Sequence, residues 1–213
     1  MNSRFIVTAE TTENFLPVSN ITFPIIQEYC NRHGYEFRPK LVANPERDSI
    51  WERVKNLQDA LKDSDWAVHI DADCLLTNHH IPLTEFIEND KSIVISCAPY
   101  QGKPIFNDGF FMVHNCGAGK EILEESWVYH NPEEGLFCAQ DAFWLFYKEE
   151  LMPKYWFSVQ PQKRFNSFLW KEYSEPESTQ GNWTPGDFIL HLPGMNTEKR
   201  VELLNHYKEY ILR

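Results

Sequence analysis

The sequence predicts an α/β fold, one domain over residues 1–213 with a mixed, mostly parallel central sheet flanked by helices. Three observations carry this reading. Short apolar runs such as Phe5–Ala9, Trp66–Ile70 and Ser92–Ala98 alternate with longer amphipathic stretches, the pattern that builds parallel sheets. Hydrophobic residues make up 42% of the chain and aromatic ones 15%, enough for one well-packed core at this length. No internal repeat, low-complexity segment or linker divides it.

The elements follow in order. A strand over Phe5–Ala9 leads through the polar "ETTEN" into a helix over Leu16–His33, stopped by Gly34. Tyr35–Arg38 reads as a short strand, and residues 39–48 as a loop. Ser49 and Glu52 have the spacing of a capping box ahead of a helical stripe of Ile50, Val54, Leu57 and Leu61, which ends near Asp63. Trp66–Ile70 is a buried strand. Leu83–Ile87 forms a short helix after Pro82, and Ser92–Ala98 is a second buried strand. Residues 106–115 read as a strand with a turn at Asp108–Gly109. Helices follow over Lys120–Tyr129 and Ala139–Glu150, then a strand over Phe157–Gln160 and a polar surface loop over 171–182. Phe188–Leu192 is the last strand. A terminal helix presents Val201, Leu204, Tyr207 and Ile211 on one face.

Composition narrows the function. The net charge of −11 opposes binding to nucleic acid or to an anionic membrane surface. No run approaches the roughly 20 apolar residues of a membrane span, and the N-terminus has no signal-peptide pattern, so a cytoplasmic location is expected. Five cysteines (Cys30, Cys74, Cys97, Cys116 and Cys138) show no metal-binding spacing and read as reduced thiols.

The run "WAVHIDADCLLTN" places Asp71 and Asp73 inside an otherwise apolar stretch. Burying carboxylates is costly unless a cation or hydrogen bonds compensate them. On a strand, positions i and i+2 face one side about 6.6 Å apart, so both acids address one site if the strand ends there. Beyond the carboxyl ends of the strands is where open α/β sheets bind ligands. Carboxylates suit Mn²⁺ or Mg²⁺, and such an ion neutralises a diphosphate as it leaves. The bland alternative is a turn with two solvated acids. In "GDFILHLPGM", His191 ends an apolar run at a turn, where an imidazole reaches a metal; a satisfied core histidine is the alternative.

The order "WERVKNLQDAL", "DADCLLTN", "FNDGFFMVHN", "AQDAFWLF" and "GDFILHLPGM" over roughly residues 50 to 195 resembles metal-dependent, nucleotide-sugar glycosyltransferases of the GT-A fold. It is similar to the family of fungal galactosyl- and mannosyltransferases and plant xyloglucan xylosyltransferases. Read as a compact enzyme expected to lack the family's usual membrane anchor, it also resembles the glycosyltransferase domains that chlorella viruses encode, for which the location would be host cytoplasm. The resemblance implies that the N-terminal half binds the nucleotide and the C-terminal half the acceptor. It implies Asp71, Asp73 and His191 as metal ligands, with Ala72 between the acids and Gly194 after the histidine in the donor-binding set. Thr8, Ala9 and Glu10 fall where the nucleoside docks. Lys55 falls where a helix-borne base meets the donor, and Asn107, Asp108 and Gly109 line the sugar. Gln140 and Asp141 match a "QD" stretch near the reacting sugar. A lysine usually follows the metal histidine more closely than Lys199 does here; Lys199 or Arg200 is the stand-in.

The function so implied is transfer of a hexose or pentose from a nucleotide-diphosphate sugar, expected to be a UDP-sugar, to a hydroxyl of a glycan acceptor. Asp141 is the first candidate for the catalytic carboxylate and Asp108 the second. A helix N-terminal acid and a turn residue are their bland alternatives. A metal-dependent phosphohydrolase and a non-catalytic sugar-binding module are the competing classes.

Overall fold

The computed structural model describes residues 3–43, 48–88, 90–100, 103–129, 139–169 and 181–213. In chain order its elements are β1 (Phe5–Thr11), α1 (Leu16–His33), β2 (Glu36–Leu41), α2 (Glu52–Ala60), β3 (Trp66–Ile70), β4 (Cys74–Leu76), β5 (Ile93–Tyr100), β6 (Lys103–His114), α3 (Gly117–Val128), α4 (Ala139–Lys148), β7 (Phe157–Pro161), α5 (Gln162–Phe165), β8 (Ser167–Phe168), β9 (Ile189–His191) and α6 (Thr197–Tyr207).

The central sheet has the order β2-β1-β3-β6-β5-β7. Only β6 runs against the others, pairing antiparallel with both β3 and β5. The carboxyl ends of β1, β3 and β5 therefore share one edge of the sheet. A second sheet of order β4-β9-β8 sits beside it.

Period-two alternation explains how the sheet is covered. In β1, β3 and β6 the residues Val7, Val68 and Met112 enter one apolar cluster, with α1, α6 and the small sheet. Their neighbours Ile6, Ala67 and Val113 enter another, with α2, α3 and α4. The Leu16–His33 helix has the span its sequence predicts, and Gly34 closes it in the left-handed region at φ 72°.

Several expectations are corrected. The strand expected at Tyr35–Arg38 continues through Pro39 to Leu41; β2 is an edge strand, where a proline forfeits no ladder bond. The capping box does not form. Asp48 caps a 3-10 turn over Ser49–Trp51 by accepting from Ile50 N at 3.2 Å, and Glu52 turns to Lys40 at 3.1 Å. Leu83–Phe86 is a 3-10 turn. Asp108–Gly109 is not a turn. β6 runs through it, and the register against β5 jumps from Ile95↔Phe111 to Ser96↔Asn107, so three β6 residues bulge out. The polar segment 171–182 lies outside the described residues as far as residue 180, as does Cys138. Among the described residues no helix is long and apolar enough to cross a membrane.

Candidate active site

β3 stops at Ile70, and the two acids occupy the turn that follows, closed by Cys74 N donating to Asp71 O at 3.0 Å. Their convergence thus comes from a turn and not from the i, i+2 geometry of a strand. Thr22 of α1 anchors the turn by donating its hydroxyl to Ala72 O at 2.6 Å. Directly after it, β4 pairs antiparallel with β9, setting Cys74 opposite His191. That pairing carries the imidazole across to the acids. Gly194, at φ 70°, reverses the chain behind it.

Nε2 of His191 lies 3.3 Å from Oδ1 of Asp73 and 3.7 Å from Oδ2 of Asp71. The other oxygen of each acid is held by an arginine. Arg53 Nη2 donates to Asp71 Oδ1 at 2.9 Å, and Arg200 Nε donates to Asp73 Oδ2 at 2.8 Å. Each carboxylate is therefore oriented by one arginine and presents its remaining oxygen to the same nitrogen. Two carboxylate oxygens within 3.7 Å of one imidazole nitrogen are a donor set that suits a hard divalent cation.

Among the described residues, the group whose ligand atoms all lie within 4.8 Å of one another is Asp73, Cys74 and His191, while Asp71 approaches through the imidazole nitrogen. Chemistry favours Asp71 over Cys74 as the third ligand. Burial, with Asp73 and Asp71 close by, pushes the Cys74 thiol well above its ordinary value, and its Sγ donates to Gly109 O at 3.4 Å. A buried neutral thiol is a poor partner for a hard ion.

Behind Asp71 lies a buried charge chain. His69 Nε2 is 2.9 Å from Asp71 Oδ1, and its Nδ1 is 3.1 Å from Glu10 Oε2. Asn56 Nδ2 donates to the other Glu10 oxygen at 2.5 Å. Burial opposes a charge on His69, but Glu10 and Asp71 outweigh it and raise the imidazole to about 9. Glu10 is likewise pushed up by burial yet held below its ordinary value by His69 and Asn56. For Asp71, burial is overcome by Arg53 and His69, which hold it well below the usual carboxylate range. Asp108 differs: burial wins and raises it, although Arg53 Nη1 sits 2.7 Å from its Oδ1.

The structure brings Asp71, Ala72, Asp73, Asn107, Asp108, Gly109 and His191 into one cluster at the carboxyl edge. Gln140, in the first turn of α4, accepts from Asp108 N at 3.4 Å, so Asp141 lies in the first turn of a helix that abuts the bulge. Thr8 points into the sheet, donating to Val68 O at 3.2 Å, and Ala9 is buried. Both oxygens of Glu10 are engaged within the protein. Lys55 places its Nζ 4.4 Å from the Trp127 ring, toward α3. Lys199 lies 3.2 Å from Glu202, and its neighbour Arg200 is the one that reaches Asp73.

Arg53, His69 and Asn166 carry site contacts that the motifs do not single out, and Arg200, expected only as a stand-in for the family's lysine, carries another. A signal for three of them exists. Arg53 stands four residues before Leu57, on the apolar stripe, whereas Lys55 is off it. Arg200 stands four before Leu204 and seven before Tyr207, and His69 interrupts an apolar strand. A charge on a buried face needs a partner.

Comparison with known proteins fits this geometry. No family model matches the chain, and no curated protein matches it. Solved structures do. One is a glycosyltransferase involved in the glycosylation of the major capsid of PBCV-1, with TM-score 0.73 and 18% identity over 95% of this chain and 99% of that one. GlyE, a glycosyltransferase of Streptococcus pneumoniae TIGR4, has TM-score 0.68 and 12% identity over 100% of this chain and 61% of that one. Mouse xyloside xylosyltransferase 1 has TM-score 0.56 and 15% identity over 91% and 99%. The chain has the GT-A glycosyltransferase fold.

Proposed function

We propose that this protein is a metal-dependent glycosyltransferase that moves a hexose or pentose from a UDP-sugar to a hydroxyl of a glycan acceptor, within one domain over residues 1–213. The observation that carries the proposal is the meeting of Asp71, Asp73 and His191 at the carboxyl edge of the sheet, within 3.7 Å of one imidazole nitrogen. That every structure compared above is a glycosyltransferase supports the reaction class.

Asp71, Asp73 and His191 would hold the Mn²⁺ or Mg²⁺. When bound, the ion supplies positive charge to the departing diphosphate. The protein does the rest. Arg53 and Arg200 hold the carboxylates in orientation, so little rearrangement is needed when the nucleotide arrives. Arg200, anchored by Leu192 O at 3.0 Å, is better placed than Lys199 to stand beside the phosphates. For the carboxylate at the reacting sugar, Asp141 has the stronger support. It is partly exposed on the first turn of α4, next to the bulge. The Oδ2 of Asp108 is buried, and its Oδ1 is committed to Arg53, so Asp108 serves as the arginine's partner.

The test is a donor screen in Mn²⁺ that reads nucleotide release and then the anomeric configuration of the product by NMR. Release of UDP with a new glycosidic bond is expected. Binding of neither UDP nor GDP would point to a sugar-binding module, and release of phosphate without a glycoside to a phosphohydrolase.

A further inference from the structure

The far side of the His191 ring faces a row of amides. Nδ1 lies 2.8 Å from Oδ1 of Asn166. Asn166 Nδ2 donates to Ser96 Oγ at 3.1 Å and to Oδ1 of Asn107. That same Asn107 oxygen accepts the backbone N–H of Gly109 at 3.1 Å. Ser96, Asn166 and His191 are all buried.

One unambiguous donor orients the whole row. A backbone N–H can only donate, so the Asn107 atom facing Gly109 is its oxygen. An amide oxygen has no proton to give, so the Asn166 group against it is the NH2. The carbonyl oxygen of Asn166 therefore faces His191, and it too can only accept. Nδ1 must carry the ring proton. In the neutral ring the lone pair then sits on Nε2, the nitrogen 3.3 Å from Asp73 Oδ1 and 3.7 Å from Asp71 Oδ2.

We infer that Asn166, itself oriented by Asn107, is a positioning residue that fixes His191 as the Nδ1–H tautomer and so leaves Nε2 free to ligate a divalent cation. The inference rests on the metal-dependent reading above and adds what selects the ligating nitrogen. Partners on the outer nitrogen of a ligating histidine commonly change metal affinity by about 10- to 100-fold when removed.

Two measurements test it. In metal-free protein labelled with ¹⁵N-histidine, at a pH where the ring is neutral, long-range ¹H–¹⁵N correlations report the tautomer; the His191 signals are those lost in His191→Gln. The Nδ1–H pattern is expected, and the Nε2–H pattern overturns the assignment. Second, Mn²⁺ is titrated in the presence of UDP, with free Mn²⁺ read by EPR. Asn166→Leu is expected to bind about 10- to 100-fold more weakly than wild type, and Asn166→Asp, which keeps an acceptor oxygen, to lose less. Equal affinity in wild type and Asn166→Leu overturns the positioning role. A wild-type protein that binds no Mn²⁺ sinks the metal-dependent reading instead, and the tautomer is then judged by NMR on the wild type, which also decides if Asn166→Leu does not fold.

Discussion

Gly109 and His191 touch face to face: a Cβ built on Gly109 would lie 2.1 Å from Cε1 of the imidazole. The bulge of β6 and the end of β9 close on each other only because residue 109 has no side chain. Gly109→Ala is therefore expected to push the ring away from the acids. The cost in stability should be about 1–3 kcal/mol, typical of overpacking, and Mn²⁺ binding should weaken with it. Thermal melts and Mn²⁺ titration check this; an alanine variant with wild-type affinity would show that the ring has room to move.

Arg53 joins two acids, and its removal leaves both without their main counter-charge. Its side chain and that of Asp108 are each almost fully buried, 6% and 5% exposed. Arg53→Met is expected to destabilise the protein by about 3–5 kcal/mol, the usual penalty for breaking a buried pair. Combining it with Asp108→Asn should restore part of the loss. Denaturant unfolding of the two single variants and the double variant measures the coupling, and strictly additive losses would contradict it.

The charge on His69 makes stability depend on pH. Its folded value is raised from 6.5 to about 9, so its contribution is complete below pH 6.5 and is lost as pH rises toward 9. Glu10, lowered from 4.5, contributes above pH 4.5 and loses its contribution as pH falls through its depressed folded value. In chelated protein, the stability gap between wild type and His69→Gln should be widest near pH 6 and shrink by pH 9.5. Urea midpoints across that range provide the comparison. A gap that stays constant from pH 6 to pH 9.5 would mean that His69 is neutral in the folded protein.

Asp141 and Asp108 should separate in kinetics. Asp141→Asn is expected to lower kcat by about 100-fold or more with Mn²⁺ affinity unchanged. Asp108→Asn should act first on stability, through Arg53. Wild-type turnover in Asp141→Asn would remove that residue from the reaction.

How far the sequence announces this site differs by element. α1 is legible because Val18, Ile25, Ile26, Tyr29 and Cys30 recur at helical spacing ahead of a glycine stop, although Ser19 and Thr22 share that face. β3 is legible because a strand buried on both faces reads as a nearly continuous apolar run, here broken by His69. β4 and β8, of three and two residues, have no room for a period, and β4 is what delivers His191. The bulge in β6 reads locally as a turn, since Asp-Gly favours both; only pairing to β3 on one side and β5 on the other distinguishes them. Asp71, Asp73 and His191 could be named from the motif. Helical spacing puts Arg53 and Arg200 on buried faces, but the acids they hold, like the imidazole that Asn166 meets, lie at least 18 residues away, and no local spacing names those partners.

The most direct test is the position of the ion itself. In crystals soaked with Mn²⁺ and UDP, the anomalous peak should lie between Asp71, Asp73 and His191, with Nε2 as the nitrogen ligand and ligand distances of about 2.0–2.3 Å. A peak on Cys74 without Asp71, or none between the three side chains, would contradict the assignment.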